Sequence, residues 1–479
     1  MPKKPILSLS ILVFALAGIS PAQKVTSLNN PAPDGAYVEY LLTDGTVLVQ
    51  GGGCTDWWRL TPDKSGSYVK GTWKQAASLP SNYTPYATSG AVLADGRFFL
   101  TGGEYSNCGG SFTLTNQSAI FDPVKNTWTM VKPPAGWYDI GDSPAAVLPN
   151  GLFLLGRKTT KQVAALDPTT LTWTAMGSAG KSDFNAEEGW TLMPDGTILT
   201  YDVKHNPNSE IYDPSTQTWK SAGSTKANLQ GPPVEGCLSY GHNHTYCPPG
   251  EVGPGILRPD GTVYATGALH QGASAGHTAV YHPAKNGIGT WTAGPDFPNG
   301  DAAGDSFAAL LTNGRVLVEG DSGTLYEFDG THLKPTAEDF GSLIVLPTGE
   351  VLIAGSAVYT STGTYKSAWA PKITSFPSSV TRGSTYKISG TQFNGLSQAA
   401  AFGDEFGTAT NYPLVRITNQ ATGHVFYAKT HDHSTMGVAT GKTTVSTNFD
   451  VAENTETGAS SLVVVANGIP SKAVSITVQ

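Results

Sequence analysis

Charge is what this chain has least of. Asp, Glu, Lys and Arg make up 14% of its 479 residues, and the formal balance is -8. Nucleic acids and anionic membranes are gripped by dense positive patches, so neither is expected as a partner. Long apolar runs are also scarce. Beyond Ile6 to Ile19, nothing approaches the ~20 residues that a helix needs to cross a bilayer. No segment holds a 3.6-residue apolar period, which argues against a helical architecture. Dinucleotide, P-loop and calcium-loop fingerprints are missing, and residue order alone locates no Ser/His/Asp triad.

Cysteine is sparse, at four residues. Lys3 and Lys4, the apolar stretch after them and Ser20-Pro21-Ala22 read as a cleaved secretory signal over residues 1–22. The mature chain is then secreted or periplasmic, with no membrane span. In that oxidising setting four cysteines suggest two disulfides. Cys54 and Cys108 follow glycine clusters at similar places in adjacent repeats, which favours pairing them and leaves Cys237 and Cys247 to close a small loop. A metal site of Cys237, His242, His244 and Cys247 is the alternative, although its spacing is not a standard zinc spacing.

Glycine and proline, by contrast, are plentiful, at 56 and 32 residues. The glycines are ordered. Two β-prone runs flank a turn glycine seven times, at Gly45, Gly96, Gly151, Gly196, Gly261, Gly314 and Gly349. Asp or Asn precedes six of them, and Thr348 precedes the last. Asp-Gly between apolar runs is a strong hairpin signal, and both turn residues are expected at positive φ. A second motif follows several hairpins: Phe121-Asp-Pro to Trp128, Leu166-Asp-Pro to Trp173 and Tyr212-Asp-Pro to Trp219. It reads as a third strand, a turn and a fourth strand opening with Trp. Four strands per unit and seven units predict a seven-bladed β-propeller over residues 23–369. The rhythm stops near Ala370-Pro371, and seven or eight short alternating strands follow. Residues 370–479 are therefore read as an immunoglobulin-like β-sandwich, making the chain all-β.

The Gly102-Gly103, Phe121 and Trp128 pattern resembles that of kelch repeats. A kelch propeller followed by an immunoglobulin-like domain resembles the galactose oxidase and glyoxal oxidase family. That likeness implies copper held by two tyrosines and two histidines, with one tyrosine thioether-linked to cysteine. Most of this set is missing: Ala303 to Ser306 has neither Tyr nor His where one Tyr-His pair belongs. Tyr246-Cys247-Pro-Pro-Gly250 looks like the family's cysteine context, and Thr430-His431-Asp-His433 like the segment that brings a histidine from the C-terminal domain. His242, His244, His431 and His433 are thus the metal candidates, copper being possible but no cofactor favoured.

Other candidates sit where inner strands begin. Asp142, Glu188, Glu251 and Asp305 are placed to ring one mouth of the central channel, attracting cations or accepting hydrogen bonds from sugar hydroxyls. Trp57, Trp58, Tyr83, Trp137 and Tyr138 are candidate platforms for sugar rings or protein side chains. The expected function is an exported module binding an extracellular glycan or protein. A copper-dependent oxidase with altered ligands and a polysaccharide-degrading enzyme using the mouth carboxylates are the alternatives.

Overall fold

The structure is a computed structural model and describes residues 24–479 apart from 54, 234–235, 241–243, 286 and 405. The leader, Cys54 and His242 therefore lie outside the described residues.

Seven four-stranded antiparallel sheets form a propeller. Blade two is representative: Ser89–Val92, Phe98–Thr101, Ser118–Asp122 and Thr127–Val131 pair in sequence order. Blade seven is closed by the N-terminal strand Lys24–Ser27, which pairs with Ala357–Thr360 and supplies the fourth strand. The first strands of neighbouring blades line the channel.

Each repeat motif has a mechanical cause. In the first turns only the glycine takes positive φ, between 76° and 88° at the seven positions. The residue before it stays in the ordinary region, which corrects the expectation for both. The Gly45 N–H donates to Leu42 O at 3.0 Å and Leu42 N–H to Thr46 O at 2.7 Å, a tight turn followed by a left-handed glycine. Asp44 adds its Oδ1, which accepts from Thr46 N–H at 3.1 Å. The Asp-Pro turns work alike: Asp122 Oδ1 accepts from the N–H groups of Val124 and Lys125. The tryptophans latch blades together. Trp128 and Trp173 donate their indole N–H to Ala77 O and Lys132 O, each just past the preceding blade, at 2.8 Å. Trp73 reaches Asn30 O, just past the closing strand of blade seven, at 2.9 Å.

Three of the turn glycines, Gly45, Gly96 and Gly349, meet the C-terminal region. A Cβ on Gly45 would lie 2.5 Å from the Tyr427 ring, and one on Gly96 2.9 Å from Thr430 O. From residue 372 onward the strands follow one curled hydrogen-bonded path, in which Val425–His431 pairs on both sides with Leu414–Asn419 and Thr444–Asp450. The strand content matches the expectation for this region; the immunoglobulin topology stays an expectation. One segment leaves this region and enters the channel. Ala400–Ala401 pairs with the first strand of blade six, and Phe402 and Phe406 pack on Phe307 at ring distances of 4.6 and 5.7 Å. The channel is plugged, and the plug carries Asp404 to the far mouth. No helix among the described residues is long and apolar enough to cross a membrane.

Candidate functional site at the channel mouth

The mouth opposite the C-terminal strands is organised around an amine. Lys158 follows the second strand of blade three, and its side chain has no exposed surface. Its Nζ donates to Asp142 Oδ2, lies 2.8 Å from Glu187 Oε1 and 3.5 Å from Asp404 Oδ2. Tyr246 covers it, with the ring centroid 5.3 Å from Nζ and the hydroxyl donating to Glu187. Glu187 holds a φ of 57°, a strained value for a residue with a Cβ and one that tends to gather at functional sites.

Charge at this mouth does not balance. Glu104, Asp142 and Glu187 bring carboxylate oxygens within 4.8 Å of one another, and Glu251, Asp305 and Asp404 act electrostatically on the same group. One ammonium faces six carboxyls. Burial, then the Glu104 charge, pushes the Asp142 carboxyl well above its ordinary range; burial does the same to Glu187. Asp305 is raised by burial and by Glu251, and Glu251 by burial and Asp404. Burial works against the charge on Lys158, but Asp142 and Glu187 more than offset it and hold its pKa well above that of an ordinary lysine. Burial and mutual repulsion thus oppose full ionisation of these carboxyls.

Beside this cluster lies an open cavity of about 680 Å³. Glu251, Asp305, Glu319 and Asp321 line it, with Leu269 and Phe340 among its apolar residues. Phe340 is 72% exposed, a large apolar ring left in water.

Of the four predicted strand-entrance acids, Asp142, Glu251 and Asp305 meet here. Glu188 does not. It turns into blade four and pairs with Lys181, while its neighbour Glu187 enters the cluster. The aromatic candidates divide more sharply. Trp57 and Tyr83 have no exposed surface and belong to the frame: Trp57 packs on Trp128 at 5.2 Å, and Tyr83 donates to Gly102 O. Trp137 is buried, and Trp58 is half-buried within a blade-one strand. Tyr138 is 40% exposed but has both faces occupied, by His244 at 4.3 Å and by the Arg157 guanidinium at 4.3 Å. These rings fill the gaps between blades, which is why they recur there.

The histidine candidates do not converge. His244 stacks at the mouth side. His433 is buried at the other end, its N–H donating to Ala94 O and its Nδ1 2.9 Å from Thr447 Oγ1. His431 lies between Asp432 and Asp450. The channel segment is 400–406 rather than the His431 strand, and among its described residues it carries Asp404 and no histidine. Cys247 is bonded to Cys237, which overturns the two-cysteine metal site and leaves no thiol to link to Tyr246. Cys108 is disulfide-bonded as well. No histidine lines the cavity or contacts Lys158 among the described residues. An ammonium among carboxyls is not a copper-radical donor set.

No family model matches this chain. It is 24% identical over 129 residues to "Kelch-like protein terF" from Aspergillus terreus, covering 26% of each chain. It is also 24% identical over 190 residues to "Galactose oxidase" from Gibberella zeae, covering 34% of this chain and 26% of that protein. The match thus spans about a quarter of either relative's length. Among solved structures, a fungal alcohol oxidase of the AA5 family in complex with copper superposes over 96% of this chain and 100% of its own, with a TM-score of 0.50 and 13% identity. The chain is a kelch-like, galactose-oxidase-like propeller in fold.

Lys158, Glu104 and Asp404 escaped the sequence reading. Lys158 sits in Arg157-Lys-Thr-Thr160, which looks like any exposed turn. Asp404 lies in a different region of the chain, so only the fold brings it near. A signal did exist for Glu104, which directly follows the one well-kept Gly-Gly pair, Gly102-Gly103.

Proposed function

We propose that this chain is an exported carbohydrate-binding protein and that its site is the channel-mouth cavity. The observation that carries this reading is the pairing of clustered carboxyl groups with an exposed ring on one concave surface. Carboxyl oxygens at Glu251, Asp305 and Asp321 are hydrogen-bond acceptors for sugar hydroxyls, and the Phe340 face offers an apolar platform for the C–H face of a sugar ring. The Cys237–Cys247 disulfide supports export to an oxidising compartment.

A copper-dependent oxidase is disfavoured by the donor set at the mouth, an ammonium among carboxyls. Calorimetry against a panel of soluble glycans tests the proposal, with copper loading and peroxide release measured in parallel. Saturable binding lost in Asp305→Asn is the expected result. Stoichiometric copper with peroxide release from alcohols would overturn it.

A further inference from the structure

Blade four holds a second ionisable group that the channel mouth does not use. Asp183 lies on the loop entering the blade, and Asp202 and His205 lie between its second and third strands. One ligand atom from each falls within 4.8 Å of the others.

Asp202 is the informative member. It has no exposed surface, and neither carboxylate oxygen receives a hydrogen bond from a donor among the described residues. A buried carboxylate normally recruits donors or a cation, because its desolvation is otherwise uncompensated. The neighbouring cation is already committed. Lys181 Nζ is bonded to Glu188 Oε1 and Oε2 at 2.9 and 2.7 Å and to Glu210 Oε2 at 2.7 Å, which uses all three ammonium protons.

The other two members are held in place. Asp183 accepts from the N–H groups of Phe184 at 2.7 Å, Lys204 at 2.6 Å and His205 at 3.2 Å. His205 Nδ1 lies 3.1 Å from Ser182 Oγ, the kind of outer partner that orients a ligating imidazole. His205 is exposed, which gives an ion a way in.

We infer that Asp183, Asp202 and His205 form a site for a divalent transition cation of the zinc class. Two carboxylate oxygens and one imidazole nitrogen suit such an ion, with water completing its shell. Calcium and magnesium are ill-matched, since both prefer all-oxygen shells. The site has a structural consequence. The loop from Asp183 runs straight to Glu187, so an ion there would anchor the segment that presents Glu187 to Lys158.

The test uses the full mature chain, stripped with chelator and titrated with Zn2+ and separately with Co2+ as a spectroscopic probe. About one equivalent should bind, with visible d–d absorption for Co2+ and a rise in melting temperature. Asp202→Asn and His205→Ala should each weaken binding about tenfold or more. The exposed control His282→Ala should bind as the parent does. Asn at 202 can satisfy its own surroundings and change stability by itself, so His205→Ala is the decisive variant. Failure to bind either ion, or unchanged binding in His205→Ala, would overturn the site. The glycan reading is untouched by either outcome.

Discussion

Two lysine side chains, Lys158 and Lys181, are entirely hidden in this propeller, and they live in opposite circumstances. Lys181 is saturated, bonded to Glu188 and Glu210 with the Trp219 ring 4.6 Å away. Lys158 is outnumbered by six carboxyls, two of which, Glu251 and Asp305, line an open cavity. Lys181 too is outnumbered, by Glu188, Glu210 and Asp202, but its cluster is sealed inside blade four, where its ammonium protons are all used. The mouth cluster instead presents its acids to solvent, as a binding site does. A buried lysine is therefore not informative by itself; what distinguishes these two is whether the acids around each reach a cavity.

The largest effect should come from breaking the sealed cluster. Lys181→Met strands Glu188 and Glu210 in the core, and removing one partner of such a pair costs about 3–5 kcal/mol. Lys158→Met should cost less, because its cluster reaches the open cavity through Glu251 and Asp305, where water can solvate the charge left behind. Urea melts of both variants at one pH check the order. An equal loss would erase the distinction between the two regions.

A third buried acid sharpens the comparison because no lysine serves it. Glu39 accepts from Gly355 N–H, yet burial pushes its pKa up to about 8 from 4.5. Between those values the folded state keeps a proton that the unfolded state releases, so stability falls as pH rises and levels off above about 8. Glu319, raised to about 7 mainly by burial, acts in the same direction. His433 acts the opposite way, its pKa lowered by burial from 6.5 to about 3, but that gain is complete above 6.5. The raised lysines stay charged throughout. From pH 6.5 to 8 a loss on the order of 1–2 kcal/mol is expected, and Glu39→Gln should flatten the slope. Chemical denaturation across that range measures it.

Next in size is the ligand itself. Phe340 is so exposed that Phe340→Ala should leave the melting temperature nearly unchanged. It should weaken glycan binding about tenfold, or about 1.4 kcal/mol, in calorimetry. If binding survives intact, the sugar is not stacked on that ring and the cavity's role falls with it.

The frame was legible because it repeats. Turn glycines, Asp-Pro turns and latch tryptophans recur with fixed spacing, and each is satisfied by neighbours near in sequence. The site was legible only in part, because it departs from the repeat. Asp142, Glu251 and Asp305 could be read as strand-entrance acids, but whether Glu187 or Glu188 faced the mouth depended on a left-handed residue that no pattern marks. Trp57 and Tyr83 looked like platforms because aromatic residues recur between blades, yet recurrence signals packing more often than binding. Asp404 required knowing that the C-terminal region sends a segment up the channel.

That last point sets up the smallest expected effect. His431 was the residue most like a copper ligand by its sequence context, and it instead bridges Asp432 at 2.8 Å and Asp450 at 3.0 Å. Both acids are substantially exposed, at 61% and 40%, so water screens the pairs and each is worth a few tenths of a kcal/mol. His431→Ala should shift stability by no more than about 0.5 kcal/mol, and copper titrations should match those of the parent chain. Asp404→Asn, two strands earlier and inside the channel, should change the pH dependence of glycan binding because it removes one of the charges acting on Lys158, Glu251 and Asp305. Were His431→Ala to alter copper binding while Asp404→Asn altered nothing, the functional end of the molecule would be the one facing the C-terminal strands, and the unbalanced lysine at the other mouth would be a structural feature like its counterpart in blade four.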